Sequence, residues 1–216
     1  MHNTVKNLIY IEDLIKSKAN HEKKPTIIAV SKTFPIENVL PLIEHGHLHY
    51  GENKVQEAID KWTELKIKNT NIKLHLIGRL QTNKVKLSLN IFDYIHSLDS
   101  EKLAKKIADE QKKQNKRPKI FIQVNIGNEH QKSGIHKEKL INFYKFCREL
   151  NLDIVGTMCI PPNVKNVEIY FSEMSSMNKK LNLQDLSIGM SRDYLDAIKN
   201  DATFVRIGSK IFGNRD

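Results

Sequence analysis

Strand-like and helix-like segments alternate along nearly the whole chain, and this alternation limits the possible folds more than any other feature. Short apolar runs predict eight strands, at Ile27–Lys32, Leu48–Asn53, Leu74–Gly78, Tyr94–Leu98, Lys119–Ile126, Ile154–Ile160, Asp185–Met190 and Phe204–Ser209. Segments with a helical period lie between them, at about 36–46, 54–69, 79–90, 100–116, 136–151, 164–182 and 191–200. Eight such units in roughly 200 residues are typical of a small closed barrel.

We therefore predict an α/β fold, a single (β/α)8 TIM-type barrel with an extra N-terminal helix. The extra helix is indicated by apolar residues at helical spacing before Asn20, which are Val5, Leu8, Ile9, Ile11, Leu14 and Ile15. A doubly wound sheet is the second choice, because it usually needs fewer strands. No composition shift or Pro/Gly-rich linker marks a boundary, so residues 1–216 are predicted to form one domain.

The basic composition does not have the pattern of a nucleic-acid-binding surface. The net charge is +10, but only six of the 35 basic residues are arginine. The lysines are scattered through the helical segments, often beside Glu or Asp, whereas phosphate-clamping surfaces favour gathered arginines and interleaved aromatic residues. We interpret most of these lysines as solvent-exposed residues on helix surfaces, and we expect no specific nucleic-acid partner.

The cellular location is predicted from the absence of membrane-spanning and signal segments in the sequence. No apolar run approaches the length of a membrane span, and residues 1–20 are too polar for a signal peptide. Cys147 and Cys159 fit a reduced compartment, in which both pack as small apolar side chains. We therefore expect a cytoplasmic protein with no membrane contact and no disulfide.

The first predicted strand ends in a lysine that alternation places among apolar residues. Ile28, Val30 and Lys32 share one side of the strand, and Pro35 ends it. Desolvation lowers the pKa of an ammonium group, and the neutral amine is the form that attacks a carbonyl to make a Schiff base. Lys32 is therefore either a reactive amine or a side chain just past the strand that reaches back to water.

Small and hydroxyl-bearing residues follow the seventh and eighth predicted strands. Gly189 and Ser191 follow the seventh, with Ser191 placed to cap the next helix, and Gly208 and Ser209 follow the eighth. Barrels of this type bind phosphate in these two loops, at the C-terminal ends of the strands. The alternative is that both are only capped turns.

Arg206 has the parity of Phe204 in the eighth strand, which turns its side chain towards the barrel interior. The alternative is a structural ion pair with Glu52 or Asp99. A Schiff-base lysine, a phosphate site and an inward arginine together suit a planar aldehyde that carries a phosphate. Pyridoxal 5′-phosphate (PLP) has this shape.

Five motifs spread along the chain resemble those of the pyridoxal phosphate homeostasis protein family, whose fold is like the barrel domain of alanine racemase. They are Ala29-Val30-Ser31-Lys32-Thr33, Tyr50-Gly51-Glu52-Asn53-Lys54-Val55-Gln56-Glu57, His75-Leu76-Ile77-Gly78-Arg79-Leu80-Gln81-Thr82-Asn83-Lys84, Leu186-Ser187-Ile188-Gly189-Met190-Ser191 and Val205-Arg206-Ile207-Gly208-Ser209-Lys210-Ile211-Phe212-Gly213. The resemblance runs in order from the first predicted strand to the last residues.

The resemblance implies a role for each candidate cofactor-binding residue. Lys32 would carry PLP as a Schiff base, and the phosphate would be held by Ser191, Gly208 and Ser209. Arg206 would face the pyridine nitrogen, and Asn53 would line the ring. Ser209 stands where the family usually has threonine, which keeps the hydroxyl group.

The resemblance also bears on activity. Arginine at the ring nitrogen disfavours the protonated pyridinium and so weakens the ring as an electron sink. The acid/base tyrosine of an alanine racemase comes from a second domain, which this chain lacks. We therefore predict a PLP-binding protein of vitamin B6 and amino-acid homeostasis without efficient catalysis, with PLP-dependent apoenzymes as candidate partners. Loss of the dimer contacts of that second domain favours a monomer.

Two enzyme classes remain as alternatives. One is a PLP-dependent amino-acid racemase or lyase. The other is a metal-dependent barrel hydrolase, suggested by His45, His47 and His49, although these residues enter the second strand at the end opposite the usual site and no acidic ligands stand at suitable spacing. His75 is interpreted as an interior histidine with satisfied hydrogen bonds.

Overall fold

The computed structural model describes residues 1–18 and 24–213. The strands are β1 Thr26–Val30, β2 His49–Glu52, β3 Lys73–Leu76, β4 Tyr94–Leu98, β5 Lys119–Asn125, β6 Ile135–His136, β7 Ile154–Cys159, β8 Asp185–Met190 and β9 Phe204–Ile207. The α-helices are α1 Asn3–Lys18, α2 Leu40–Glu44, α3 Val55–Lys68, α4 Val85–Ile91, α5 Glu101–Gln114, α6 Leu140–Glu149, α7 Glu168–Lys180, α8 Tyr194–Lys199 and α9 Ser209–Phe212.

Eight of these strands close into a parallel barrel. Their order is β4-β3-β2-β1-β9-β8-β7-β5, and pairing of β4 with β5 completes the ring. The predicted (β/α)8 barrel is thereby confirmed, and the doubly wound alternative is wrong. The two-residue strand β6, which the sequence did not predict, pairs with Val124 and Asn125 of β5.

The barrel has two separate apolar cores, one on each side of its wall. The outer core lies between strands and helices, and it includes Ile120, Ile122 and Val124 of β5. Phe121 of the same strand belongs to the interior cluster, which it forms with Ile28, Met158 and Phe204. The two sides of β5 thus follow the alternation predicted from the sequence.

Helix α1 confirms the predicted extra helix in front of the barrel. Its buried apolar residues Val5, Leu8, Ile11 and Ile15 recur at helical spacing and join the outer core. It packs against α9, where Asn7 Nδ2 donates to the Ile211 carbonyl oxygen at 3.0 Å. Asn20, where the sequence predicted its end, lies outside the described residues.

Several helices are shorter than predicted. The segment predicted at 36–46 begins with a 3₁₀ turn at 36–38 and has α-helix only at Leu40–Glu44, and those at 79–90 and 136–151 also begin with 3₁₀ turns. Pro41 lies in the first turn of α2, and because it has no N–H to donate to the preceding turn, the α-helix begins close to it rather than at residue 36. Within the described ranges, no helix has the length and apolar character needed to span a membrane.

Candidate functional site

The sequence-predicted site residues come together on one arc of the barrel rim. Strands β8, β9, β1 and β2 are consecutive neighbours in the parallel wall, so their C-terminal ends lie at the same edge. Each of these strands is followed within two residues by a site residue: Ser191 after β8, Gly208 and Ser209 after β9, Lys32 after β1, and Asn53 after β2. Ser209 is exposed and the other four are half-buried, which suits a mouth open to a small ligand.

The backbone around Lys32 is held in an unusual conformation. Thr33, the next residue, has a φ of 67°, a region that β-branched residues rarely occupy. Its backbone N–H donates to Glu57 Oε1 of α3 at 2.6 Å. On the other side, the Ser31 carbonyl oxygen accepts from Lys61 Nζ at 2.9 Å. Helix α3 therefore fixes the peptide groups on both sides of the lysine.

Glu52 lies buried at the centre of the contacts that hold the backbone around Lys32. We call this group of residues the Glu52–Lys61 cluster, and its members are Ser31, Glu52, Glu57, Lys61 and Trp62. Glu52 Oε1 accepts from Ser31 Oγ at 2.8 Å, from Lys61 Nζ at 3.0 Å and from Trp62 Nε1 at 3.0 Å. Its side chain therefore faces helix α3 and the outer core. The sequence did not predict this cluster.

The loops after β8 and β9 are joined by a direct hydrogen bond. Ser191 Oγ accepts from the Gly208 backbone N–H at 3.2 Å. The prediction that Ser191 caps the following helix is wrong, because α8 begins at Tyr194 and its N-cap residue is Asp193. The Asp193 side chain makes no capping bond, and its Oδ1 accepts the Met190 N–H of the preceding loop at 2.6 Å. Ser191 is instead directed towards the neighbouring loop.

Arg206 points into the barrel, as predicted from its parity with Phe204. It is 4% exposed, and it donates from Nη1 to the Ser187 carbonyl oxygen at 2.7 Å and to Ser187 Oγ at 2.8 Å. Its Nη2 donates to the Cys159 carbonyl oxygen at 2.9 Å. Burial lowers the pKa of its guanidinium from the ordinary value.

The alternative ion pair of Arg206 with Glu52 or Asp99 is wrong. Glu52 lies on the outer side of the wall with Lys61, and no carboxylate forms an ion pair with Arg206 in the described part of the chain. Asp99 lies after β4, where burial raises the pKa of its carboxyl and nearby Arg79 partly offsets that rise. Arg206 is therefore held by neutral oxygens.

Beneath the rim, three histidines from neighbouring strands are linked in series. His49 Nδ1 lies 3.0 Å from His75 Nε2, and His75 Nδ1 lies 3.0 Å from His96 Nε2. His96 Nδ1 lies 2.9 Å from Ser187 Oγ, which leads to Arg206. We call these five residues the histidine chain. The interpretation of His75 as a satisfied interior histidine is confirmed, but the sequence reasoning missed the series.

Aromatic packing fixes the orientation of these imidazoles. The His75 ring stacks on Tyr94 and the His96 ring stacks on Phe121, each with centroids 4.2 Å apart. Phe204 packs against both imidazoles from β9. Burial lowers the pKa of both imidazoles well below the ordinary value, and the charge of Arg206 lowers that of His96 further.

The histidines proposed for a metal site are used in other contacts. His47 Nε2 donates to the His49 carbonyl oxygen at 2.9 Å, and burial lowers its pKa to about 4. His49 bonds to His75, as described above. Within the described residues, no three His, Cys, Asp or Glu side chains are grouped as a metal would require. These contacts give the metal-hydrolase alternative no support.

Comparison with known proteins places the chain in a family. The family model for the N-terminal domain of alanine racemase matches residues 11–216. The chain is 39% identical to a protein of Aquifex aeolicus named pyridoxal phosphate homeostasis protein, over 88% of this chain and 86% of that protein. A protein of the same name from Escherichia coli (strain K12) is 33% identical, over 100% and 98% of the two chains.

Solved structures agree with this assignment. The structure of PipY from Synechococcus elongatus PCC7942 with PLP bound superposes with a TM-score of 0.86 at 28% identity, covering 97% of this chain and 100% of that one. Alanine racemase from Clostridium difficile 630 superposes with a TM-score of 0.79 at 16% identity. That likeness covers 99% of this chain and 57% of the racemase, and it supports the fold alone.

Proposed function

The chain belongs to the family of pyridoxal phosphate homeostasis proteins, and on that premise we propose that it binds PLP at the barrel rim, with residues 1–216 acting as one PLP-binding barrel domain. Residues of the rim, together with Arg206 of the barrel interior, supply a chemical partner for each reactive part of the cofactor. Lys32 offers an amine for the aldehyde, and Arg206 offers a guanidinium for the ring nitrogen. Asn53 lines the ring.

The observation that carries this proposal is the junction of the loops after β8 and β9. The bond from the Gly208 N–H to Ser191 Oγ joins the two loops, so the Ser191 hydroxyl lies at the start of α9, beside the exposed Ser209. A Cβ at position 208 would lie 3.4 Å from the Val30 Cβ and carbonyl oxygen, so the loop after β9 packs directly against the end of β1, the strand that precedes Lys32. Hydroxyl and N–H donors of this kind suit a phosphate group.

Covalent attachment is proposed for Lys32. When bound, PLP would supply an aldehyde, with which the Lys32 amine would condense to a Schiff base with release of water. The cofactor would be a weaker electron sink while its ring nitrogen stays unprotonated. The Glu52–Lys61 cluster fixes the backbone on both sides of Lys32, which limits the directions from which its amine can approach. Pre-organisation of this kind lowers the entropy lost on binding.

We further propose that the protein binds the cofactor without efficient catalysis. The guanidinium of Arg206 has only donors, so it offers no acceptor that would favour a protonated ring nitrogen. None of the six tyrosines lies on the rim: Tyr50, Tyr144, Tyr170 and Tyr194 pack in or against the outer core, Tyr94 lies in the interior, and Tyr10 is exposed on α1. Rapid exchange of an amino acid's α-proton by the cofactor-loaded protein would contradict this proposal.

In the cell, the proposed role is to hold PLP in reserve for vitamin B6 and amino-acid homeostasis in the cytoplasm. PLP-dependent apoenzymes are the proposed recipients, and the proposed state is a monomer. The names of the relatives and the PLP bound to PipY support the ligand.

Reduction with borohydride tests the proposed attachment. The purified protein is incubated with PLP, reduced and digested, and the peptides are mapped by mass spectrometry. We expect a pyridoxyl adduct on Lys32 and its loss in Lys32→Ala. Lys54→Ala, at an exposed lysine after β2, is the matched control and should keep the adduct. An adduct that persists in Lys32→Ala and maps to another lysine would contradict the proposal.

A further inference from the structure

The histidine chain crosses the barrel interior and ends on Arg206. It begins at His49 on β2 and passes through His75 on β3, His96 on β4 and Ser187 on β8, with contact distances of 2.9 to 3.0 Å. His49 is half-buried, whereas the other four members are buried. Cofactor binding at the rim does not by itself explain this series.

The direction of each hydrogen bond follows from the Arg206 end. A guanidinium only donates, so Ser187 Oγ accepts from Arg206 Nη1 at 2.8 Å. The Ser187 hydroxyl hydrogen then needs an acceptor, and His96 Nδ1 is the one that the described residues offer it. His96 must therefore carry its hydrogen on Nε2 and donate to His75 Nδ1, and His75 must donate from Nε2 to His49 Nδ1.

The opposite direction would leave a buried hydrogen without a partner. If His96 donated from Nδ1 to Ser187 Oγ, that oxygen would accept two hydrogen bonds and its own hydrogen would lack an acceptor at a fully buried position. Leaving a buried donor unsatisfied costs about 1 to 3 kcal/mol. Hydrogen-bond satisfaction therefore assigns the Nε2–H tautomer to His49, His75 and His96.

This direction matters because Arg206 is a buried cation that forms no ion pair with a carboxylate in the described ranges, although the charge of Asp193 acts on it and partly offsets the effect of burial on its pKa. In the assigned tautomers, every acceptor atom of the chain faces the Arg206 end and every N–H faces away from it. Aligned hydrogen bonds polarise one another in a low-dielectric interior, so their negative ends act together on the guanidinium. The chain thus offsets part of the cost of burying the charge.

We propose that Ser187 and His96, supported by His75 and His49, are positioning residues that hold the Arg206 guanidinium charged and in a fixed direction. The effect on the cofactor's ring nitrogen rests on the proposed function, whereas the order of the chain does not. A fixed guanidinium keeps the ring nitrogen unprotonated, because it presents no acceptor to a pyridinium N–H.

Tautomer measurement by NMR tests the chain in the protein without cofactor. Two-bond nitrogen–hydrogen correlations of ¹⁵N-histidine-labelled protein distinguish Nε2–H, Nδ1–H and doubly protonated imidazoles. At neutral pH we expect His49, His75 and His96 to be neutral and to carry hydrogen on Nε2. An Nδ1–H tautomer or an imidazolium at His75 or His96 would overturn the inference.

Ring-preserving variants test the link to Arg206. His96→Phe retains a ring against Phe121 but removes both nitrogens, and His75→Phe does the same against Tyr94. We expect exchange of the Arg206 Nη hydrogens to become about tenfold faster in His96→Phe, with a smaller increase in His75→Phe. The control is His136→Phe, at an exposed histidine bonded to Asn128, and it should leave the rate unchanged. Equal rates in all variants would contradict the proposal.

A second readout separates this inference from the proposed function. With ¹⁵N-labelled PLP bound, the ring-nitrogen shift should be that of an unprotonated pyridine, and it should move in His96→Phe and not in His136→Phe. If PLP does not attach to Lys32 while the tautomers are as assigned, the proposed function fails and the chain stands. If PLP attaches but His96→Phe changes neither the ring-nitrogen shift nor the exchange rate of the Arg206 Nη hydrogens, the inference about the histidine chain fails. Should His96→Phe not fold, the wild-type tautomers and His75→Phe decide.

Discussion

At the scale of single residues, Lys61 illustrates how support from outside the barrel wall reaches the proposed cofactor lysine. Its ammonium lies 3.0 Å from the Glu52 carboxylate, and the two side chains are only 10% and 0% exposed. The same nitrogen donates to the carbonyl oxygen of Ser31, next to Lys32. Loss of this one cation would leave a buried carboxylate with neutral donors alone.

We predict that Lys61→Met lowers the free energy of unfolding by about 3 to 5 kcal/mol, because it removes one partner of a buried ion pair. Chemical denaturation monitored by circular dichroism measures this change. The matched control is Lys199→Met, which removes an exposed lysine paired with Glu168 and Asp196 and should have little effect. Similar losses in the two variants would argue against a special role for the Glu52–Lys61 cluster.

Single-residue predictions from the sequence succeeded where strand alternation applied. Arg206 and Phe204 share the inward side of β9, and this parity was visible in the sequence. The direction of Glu52 could not be settled because it ends its strand, and its partners Lys61 and Trp62 come from a helix packed on the outside of the wall. Contacts between elements decide such positions, and one sequence does not reveal them.

At the scale of elements, the packing of α8 on β8 depends on one glycine. Gly189 has a φ of 87°, and a Cβ there would lie 2.5 Å from Ala197 Cβ and 3.0 Å from Tyr194 Cα. Both contacts belong to α8, which follows the proposed phosphate loop. This position therefore requires glycine for its conformation and also for the close approach of the helix.

We predict that Gly189→Ala destabilises the protein more than Gly46→Ala does. Gly46 also has a positive φ, 93°, but a Cβ there would meet nothing within 4 Å, so alanine should cost only the left-handed conformation, about 1 to 2 kcal/mol. At Gly189 the clash adds about 1 to 3 kcal/mol. Denaturation midpoints of the two variants measure the difference, and an equal loss would mean that α8 can move away from β8 without cost.

The elements were largely predictable from the sequence because the alternation of strands and helices is strong. The exceptions have local causes. Strand β6 has only two residues, too few for a periodic pattern, and Asp193 rather than Ser191 makes the turn before α8. The histidine chain was missed because His49, His75 and His96 lie on three different strands, and only the order of those strands in the barrel brings them together.

At the scale of the whole molecule, the buried histidines make stability depend on pH. His75 and His96 are fully buried, and burial lowers the pKa of both well below the value of about 6.5 that they have in the unfolded chain. Below that pH the unfolded state binds more protons than the folded state. The stabilisation that the two neutral histidines give the folded state is therefore complete above about pH 6.5, and it declines as the pH falls.

We predict that the free energy of unfolding falls as the pH drops below about 6.5, with a slope for each of these two histidines that approaches about 1.4 kcal/mol per pH unit once the pH is well below that value. Urea denaturation at a series of pH values measures the slope. In His96→Phe the slope should decrease by the contribution of one histidine. A flat profile over the first pH unit below that value would mean that both imidazoles are charged in the folded protein.

The central claim is that the rim formed by β8, β9, β1 and β2 holds PLP through Lys32 and the loops that follow β8 and β9. A crystal structure of the protein soaked with PLP tests it most directly. The account predicts electron density continuous with Lys32 Nζ and a phosphate bound at Ser191, Gly208 and Ser209. An unliganded rim in such a crystal, or PLP bound elsewhere with Lys32 turned to solvent, would contradict it.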